Sequence, residues 1–231
     1  MYYVPQTDST MLLARRFAAA LVPPAVMLTD FQTGGKGRIS GRHWLSGPKE
    51  SLLCTLVLEG PPVAGFTLKI GLAAALAIES ITGGKLTPKI KWPNDILING
   101  RKIAGILCES DGKTVLAGIG INLAQTSFPP EIEKKATSLL IECGLGVEPG
   151  TMLVQILQDF FRLSDDAALI NWHGETEARL WNKGKHAIFN SGDPIAHEYV
   201  SGVIQGINHD GALRMKLSDG TDRILYSGEF E

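Results

Sequence analysis

The stretch KWPNDILINGRKIAGILCES, at residues 91–110, places Asp95 and Lys102 in segments that otherwise have the composition of buried strands. Asn99-Gly100 is the pattern of a two-residue hairpin turn. With that turn, Asp95 is predicted to pair with Ala104. Asp95 and Lys102 then lie on one face as diagonal neighbours, with Cβ atoms about 7–8 Å apart. The face that holds this pair is predicted to comprise Asp95, Leu97, Lys102, Ala104 and Ile106, and the opposite face Ile96, Ile98, Ile103 and Leu107.

A lysine in a buried strand needs an explanation, because it costs several kcal/mol unless an anion meets it. One explanation is a structural ion pair between Lys102 and Asp95 at a sheet edge, with the ammonium reaching water. The other is a site for an anionic ligand. The small residues Ala104 and Gly105 favour the second explanation, since they leave room beside the lysine.

A glycine-rich loop with the sequence TGGKGRISGR, at residues 33–42, follows a predicted strand. Glycines let backbone N–H groups approach a ligand and cations neutralise an anion, so this loop is a candidate anion site. Its spacing fits neither a Walker A loop nor a dinucleotide-binding fingerprint. The alternative is a mobile surface loop without a ligand. The glycines are Gly34, Gly35, Gly37 and Gly41, and the cations are Lys36, Arg38 and Arg42.

Two further residues have side chains suited to a planar ligand. Asn122 ends the apolar segment GIGIN, where its amide could read a base edge, and a buried turn-forming asparagine is the alternative. Trp44 follows the cationic loop and could cover a planar ring, although a lone tryptophan is more often part of a core.

Composition argues against several function classes. The chain has 231 residues, 44% of them apolar, with 22 Lys and Arg against 24 Asp and Glu. The net charge of −2 argues against bulk electrostatic binding to nucleic acid or to an anionic membrane. Three cysteines without a CxxC pair and five scattered histidines argue against structural zinc and are typical of a reducing cytoplasm. No apolar run approaches the ~18 residues of a membrane span.

The elements that position these residues fall into two regions. Residues 8–10 have the pattern of a helix N-cap, and the Ala/Leu-rich segment at 64–80 predicts a buried helix. Residues 151–182 look helical, whereas short strands separated by glycine-containing turns begin near residue 185. We therefore predict an α+β first domain over 1–183 and a small β-barrel over 184–231.

Taken together, these segments resemble the biotin protein ligase family, also called biotin–[acetyl-CoA-carboxylase] ligase. The motifs follow one another along nearly the whole chain, and the KWPND block followed by KxAGI is highly specific. The matching segments are DST at 8–10, QTGGKGR at 32–38, GRHWLS at 41–46, KWPNDI at 91–96, GRKIAGILCE at 100–109, GIGINL at 118–123 and GINHDGAL at 206–213.

The resemblance implies a class II synthetase-like catalytic domain, with a mixed or antiparallel sheet and flanking helices, over 1–183, and an SH3-like barrel over 184–231. It implies a cytoplasmic ligase that uses ATP and Mg²⁺ to convert biotin into biotinyl-5′-AMP and pyrophosphate. The biotinyl group then passes to a lysine of a biotin carboxyl carrier protein. Because no DNA-binding segment precedes residue 1, the monofunctional type is expected, with neither DNA nor membrane as a partner. A homodimer is compatible with this family.

The resemblance also assigns roles motif by motif. Lys102, Arg38 and Asp95 would be catalytic. Lys102 would bridge the biotin carboxylate and the α-phosphate, and Asp95 would bind Mg²⁺ or orient the incoming amine. The biotin-binding residues would be Ser9, Thr10, Gln32, Gly35, Lys102 and Gly105. The residues for ATP and the adenylate would be Lys36, Gly37, Arg38, Arg42, Trp44, Asn94, Lys102 and Asn122.

Two other functions stay open at this point. A lipoate or octanoate ligase or transferase shares the catalytic architecture, although the KWPND block and the barrel favour biotin. A non-enzymatic RNA- or protein-binding module would use the cationic loop and the barrel, and the net charge counts against it. Two positions depart from the family pattern, namely one extra residue between Arg38 and Gly41, and Met11 where many members have asparagine.

Overall fold

The computed structural model of the chain describes residues 1–18, 20–39, 41–164, 171–192 and 198–231. The first seven strands are β1 (Tyr2–Thr7), β2 (Ala25–Gln32), β3 (Ser51–Glu59), β4 (Lys89–Lys91), β5 (Asp95–Ile98), β6 (Arg101–Ser110) and β7 (Thr114–Asn122). They form one mixed sheet in the order β1-β2-β3-β7-β6-β5-β4. β1 and β2 are parallel, and the other neighbours are antiparallel. This arrangement confirms the predicted fold class.

Helices cover both faces of this sheet. They are α1 (Thr10–Arg16), α2 (Phe66–Ile81), α3 (Leu139–Cys143), α4 (Pro149–Ser164) and α5 (Trp172–Arg179). α2 and α4 pack on one face, against alternate β3 residues such as Leu56, whereas α1 packs on the other, against Val57. The Ala/Leu-rich α2 is the predicted buried helix. None of the described helices is both long and apolar enough to cross a membrane.

A second, antiparallel sheet follows the helices and corresponds to the predicted barrel. Its strands are β8 (His186–Ser191), β9 (Glu198–Ile207), β10 (Leu213–Leu217), β11 (Asp222–Leu225) and β12 (Gly228–Phe230), in the order β11-β10-β9-β8-β12. Phe189, Ile204 and Met215 are fully buried between these strands. Trp92 joins the two sheets, because its indole packs on Phe189 and donates a 2.8 Å hydrogen bond to the Gly211 carbonyl.

The hairpin between β5 and β6 has the predicted turn but a different register beyond it. Asn99 and Gly100 both have positive φ, at 51° and 79°, as a two-residue turn of this type requires. A register shift then pairs Asp95 with Gly105 instead of Ala104. The predicted faces are therefore wrong for Ala104 and Ile106, which belong to the core beneath α2, and for Leu107, which packs in the cluster on the α1 side. The reason is a β-bulge, which inserts one residue and reverses the alternation.

The segment at 135–137 holds the bulged strand in place. The Lys102 N–H donates to the Lys135 carbonyl at 2.7 Å, and the Thr137 N–H donates to the Lys102 carbonyl at 2.9 Å. Lys102 therefore has backbone bonds to a segment outside the hairpin, which fixes the strand at the point where its side chain leaves the core.

Candidate active site

A cavity of about 120 Å³ lies between α1, the glycine-rich loop and strands β6 and β7. Most of the predicted site residues line it, namely Ser9, Thr10, Gln32, Lys36, Gly37, Arg38, Trp44, Asn94, Lys102 and Gly105. Elements distant in sequence therefore converge on one space.

One end of the cavity is built from neutral polar groups at the start of α1. The Gln32 side-chain oxygen accepts from the Thr10 N–H at 2.8 Å and from the Thr10 hydroxyl at 3.1 Å. The Thr10 hydroxyl in turn accepts from the fully buried Thr55 at 2.8 Å. We call Thr10, Gln32 and Thr55 the head end. Sequence reasoning missed Thr55, because a threonine inside a strand is an ordinary strand-forming residue.

The helix start adds a second hydroxyl to this end. Ser9 is the N-cap of α1, yet its side chain makes no capping hydrogen bond, and it lines the cavity. The neighbouring Asp8 accepts from the Ser9 N–H at 2.8 Å and pairs with Arg16, and the Arg16 hydrogen bond lowers the pKa of the Asp8 carboxyl. Ser9 is thus held at the cavity while its own hydroxyl is not used in capping.

The described part of the glycine-rich loop folds back on itself. The Gly37 N–H donates to the Arg42 carbonyl at 2.9 Å, and the Trp44 N–H donates to the Gly35 carbonyl at 3.0 Å. A side chain at Gly35 would not fit, since its Cβ would lie 2.8 Å from Nε2 of Gln32 and 3.1 Å from Trp44. Gly35 therefore lets the loop approach the head end.

Trp44 forms a flat wall over two glycines. Gly105 of β6 pairs with Gly120 of β7, and the Trp44 ring lies over both. A Cβ at Gly120 would come within 2.8 Å of the indole, so glycine is needed there. The indole N–H is buried and finds no acceptor among the described residues. Sequence reasoning missed Gly120, whose role depends on its partner in the neighbouring strand.

Lys102 lines the opposite end of the cavity, and Asp95 lies beside it, outside the lining. Lys102 Nζ lies 2.7 Å from Oδ1 of Asp95 and 5.8 Å from the centre of the Trp44 ring. A Cβ at Gly105 would lie 3.1 Å from the ammonium, so this glycine makes room for it. The predicted pair exists, and the ammonium lines the cavity instead of leaving it. Oδ1 of Asp95 is buried and has no well-aligned hydrogen bond among the described residues.

Both loop arginines reach the last strand of the barrel. Arg38 donates to the Gly228 carbonyl at 2.5 Å, and Arg42 forms a two-pronged ion pair with Glu229, in which Nη2 lies 2.9 Å from Oε2. Burial lowers the pKa of the Arg38 guanidinium, and Glu229 and Asp95 oppose that effect. The arginines therefore link the loop to β12, a contact that the sequence did not predict.

Lys91 is a further cation that the sequence analysis passed over. It pairs with Asp95 across β4 and β5, and its ammonium lies 5.4 Å from the Trp181 ring and 5.9 Å from the Phe230 ring. Burial lowers its pKa, whereas Asp95 and Glu229 raise it. We call Lys91, Lys102, Arg38, Arg42, Asp95 and Glu229 the charged end.

Two predicted asparagines have their amides engaged by the protein. Asn94 donates to the Ile106 carbonyl at 2.9 Å, and Asn122 donates to the Thr137 carbonyl at 2.9 Å. Asn122 also accepts from Gln125 at 3.1 Å. For Asn122, which is buried and lies outside the cavity lining, these bonds match the alternative of a buried, turn-forming asparagine, whereas Asn94 lines the cavity.

The charged end has few carboxylates for a metal. No group of three or more His, Cys, Asp or Glu side chains that could hold an ion occurs among the described residues. Mg²⁺ in nucleotide sites commonly binds one or two carboxylates and takes its remaining ligands from phosphates and water. The buried, unaligned Oδ1 of Asp95 fits such a shared site.

Comparison with known proteins agrees with this geometry. Residues 3–125 match the biotin/lipoate A/B protein ligase family, and residues 195–231 match the biotin protein ligase C terminal domain. A biotin–[acetyl-CoA-carboxylase] ligase of Paracoccus denitrificans is 34% identical over 95% of both chains. The bifunctional ligase/repressor BirA of Bacillus subtilis is 32% identical over all of this chain and 73% of that protein. The biotin protein ligase of Aquifex aeolicus, solved with biotin and ATP, superimposes with a TM-score of 0.84 at 25% identity, over 99% of this chain and 96% of that one. The chain therefore belongs to the biotin protein ligase family.

Proposed function

We propose that the protein is an ATP-dependent biotin ligase that forms biotinyl-5′-AMP and then transfers biotin to a lysine of a biotin carboxyl carrier protein. The observation that carries the proposal is Lys102, whose ammonium lines the cavity beside Asp95 and opposite a neutral head end. A ligand with a neutral polar head and an anionic tail matches these two ends.

Biotin has both features, because a cyclic urea and a carboxylate lie at opposite ends of the molecule. Ser9, Thr10 and Gln32 hold the urea, and the bonds of the Gln32 oxygen to Thr10 orient the Gln32 NH₂ as a donor. Gly35 and Gly105 let the loop and β6 approach the ring and the tail. The carboxylate then lies near Lys102.

The first step joins two anions. The biotin carboxylate oxygen attacks the α-phosphorus of ATP, the new O–P bond forms, and the bond to the leaving pyrophosphate breaks. Lys102 and Arg38 neutralise the charge that repels the reactants, and fixed cations of this kind can contribute a few kcal/mol each. Lys36, Gly37 and Arg42 complete the phosphate side of the loop.

The nucleoside of ATP lies against the wall of the cavity that Trp44 forms. Trp44 supplies a flat ring over Gly105 and Gly120, Asn94 lines the cavity beside it, and Asn122 supports the site through its buried bond to the Thr137 carbonyl. The loop covers the reactive anhydride and protects it from water, as lids commonly do.

In the second step, the acceptor amine attacks the carbonyl carbon, AMP leaves with the C–O bond electrons, and the amine loses a proton. Asp95 orients the incoming amine or binds Mg²⁺. When bound, Mg²⁺ would supply further neutralisation of the phosphates. Residues 1–183 form the catalytic domain and residues 184–231 the barrel. We place the enzyme in the cytoplasm, with a biotin-dependent carboxylase as the source of its acceptor.

Pyrophosphate release with MgATP tests the first step and separates biotin from its nearest rival. We expect release with biotin, no release with lipoate or octanoate at equal concentration, and loss of release in Lys102→Ala. Release with lipoate or octanoate but not with biotin would overturn the proposal.

A further inference from the structure

We propose that Thr55 is a positioning residue: its hydrogen bond holds the Thr10 hydroxyl, and through it the Gln32 amide, in the geometry that binds a cyclic urea. The inference rests on the proposed function. It follows from the direction of three hydrogen bonds, from the burial of Thr55, and from the groups that remain free.

Only one assignment of donor and acceptor fits the three hydrogen bonds that join Gln32, Thr10 and Thr55. The Thr10 backbone N–H can only donate, so the Gln32 atom 2.8 Å away is the amide oxygen. That oxygen can only accept, so the Thr10 hydroxyl, at 3.1 Å, donates to it. With its proton used in this way, the Thr10 hydroxyl accepts at its 2.8 Å contact with Thr55, and Thr55 donates.

Burial makes this arrangement costly to abandon. Thr55 lies in the middle of β3, paired with Gly118 and Met27, and it is fully buried. Its neighbours on the same face, Leu53 and Val57, are apolar. A buried hydroxyl is tolerated when it is hydrogen-bonded, and here the bond goes to a cavity residue.

The groups left over define the ligand. Nε2 of Gln32 faces Gly35, close enough that a Cβ there would lie 2.8 Å away, and it presents donors. Thr10 has a lone pair left and no free proton. A cyclic urea matches both, because its carbonyl accepts and its N–H groups donate. A protonated cyclic guanidine has only donors, which would face the donors of Gln32.

The test compares Thr55→Val with Thr55→Ser, because valine keeps the shape of threonine and serine keeps the hydroxyl. In Thr55→Val we expect KM for biotin in pyrophosphate release to rise about tenfold, the scale of one hydrogen bond, with kcat within about twofold. Thr55→Ser should restore KM.

Thr29→Val is the matched control. Thr29 is buried on the neighbouring β2, on the same face, but its hydroxyl donates to the Phe31 carbonyl at 3.1 Å. It should leave KM for biotin unchanged. If Thr55→Val does the same, Thr55 only packs the core and the inference is wrong.

A second pair covers the case in which Thr55→Val does not fold. Thr55→Ala and Thr55→Ser lack the same methyl group and differ by the hydroxyl alone. KM for biotin should be about tenfold higher in the alanine variant, and equal values would overturn the inference. A wild-type protein that releases no pyrophosphate with biotin would instead refute the proposed function, so the two failures are distinct.

Discussion

The two ends of the cavity are built on opposite principles. The head end is neutral, its two threonines are buried, and its groups are fixed by short hydrogen bonds from β3 and α1. The charged end is partly exposed, and its cations come from the loop, from β4 and from β6. The Lys102 side chain remains 38% exposed, whereas Thr55 has no exposed surface.

This difference matches what each end must do. A neutral, fixed end can discriminate between ligands by the direction of its donors and acceptors, because a mismatched buried polar group is costly. A charged end can stabilise negative charge during phosphoryl transfer. Substitutions at the head end should therefore change KM and specificity, and substitutions of the cations Lys102 and Arg38 at the charged end should change the rate.

The largest effect is expected at Lys102. Lys102→Ala should reduce the rate of biotinyl-5′-AMP formation by about 10²–10³-fold, because it removes the cation beside both reacting anions. Rapid-quench measurement of the adenylate checks this. Circular dichroism should show an intact fold, and a variant that keeps the full rate would remove Lys102 from the mechanism.

Arg38→Gly should have the next largest effect, about 10–100-fold on adenylate formation, and should also release the intermediate. The variant loses a cation and the bond from the loop to the Gly228 carbonyl. Biotin should then appear on lysines of a bystander protein, detected by mass spectrometry. Lys113→Gly, in an exposed turn, is the control. Tight retention of the adenylate by Arg38→Gly would contradict the role of the loop as a cover.

A smaller effect is expected where the loop meets the barrel. Glu229→Gln breaks the ion pair with Arg42, which is partly exposed, so KM for ATP should rise by no more than about fivefold. The exchange Arg42→Glu with Glu229→Arg should recover part of the loss relative to either single charge reversal. A double variant that is as weak as the worse single variant would show that the pair does not position the loop.

The smallest effect concerns access to the core on the side of β3 opposite Thr55. Cys54 is buried there with Leu52 and Leu56, and burial raises the pKa of its thiol to about 12, so little thiolate exists at pH 8. Iodoacetamide at pH 8 should therefore leave Cys54 unmodified in the folded protein and modify it in urea. Rapid modification of the folded protein would show that the core behind the head end is open to reagents.

The sequence predicted those parts of the site that depend on residues close together in the chain. The Asn99-Gly100 turn placed Lys102 near Asp95, and the order of motifs indicated the family. The predicted register of the β5–β6 hairpin was wrong because a β-bulge reverses the alternation of side chains between the two faces. The sequence does not reveal the bulge, because the consecutive residues Ile103 and Ala104 are both buried and both apolar. The division at residue 183 stays a prediction.

The residues that sequence reasoning missed act through distant contacts. Thr55 meets Thr10 from a strand 45 residues away, and Glu229 meets Arg42 across 187 residues. No spacing rule links such pairs, because strand order and barrel docking decide them. Lys91 was passed over for a similar reason, since its aromatic neighbours Trp181 and Phe230 come from the last part of the chain.

The most direct test of the account is the intact mass of a biotin carboxyl carrier domain after incubation with this protein, biotin and MgATP. We predict a gain of one biotinyl group on a single lysine, abolished by omitting ATP and strongly slowed in Lys102→Ala. A carrier domain of unchanged mass, with folded wild-type protein and all substrates present, would contradict the central claim.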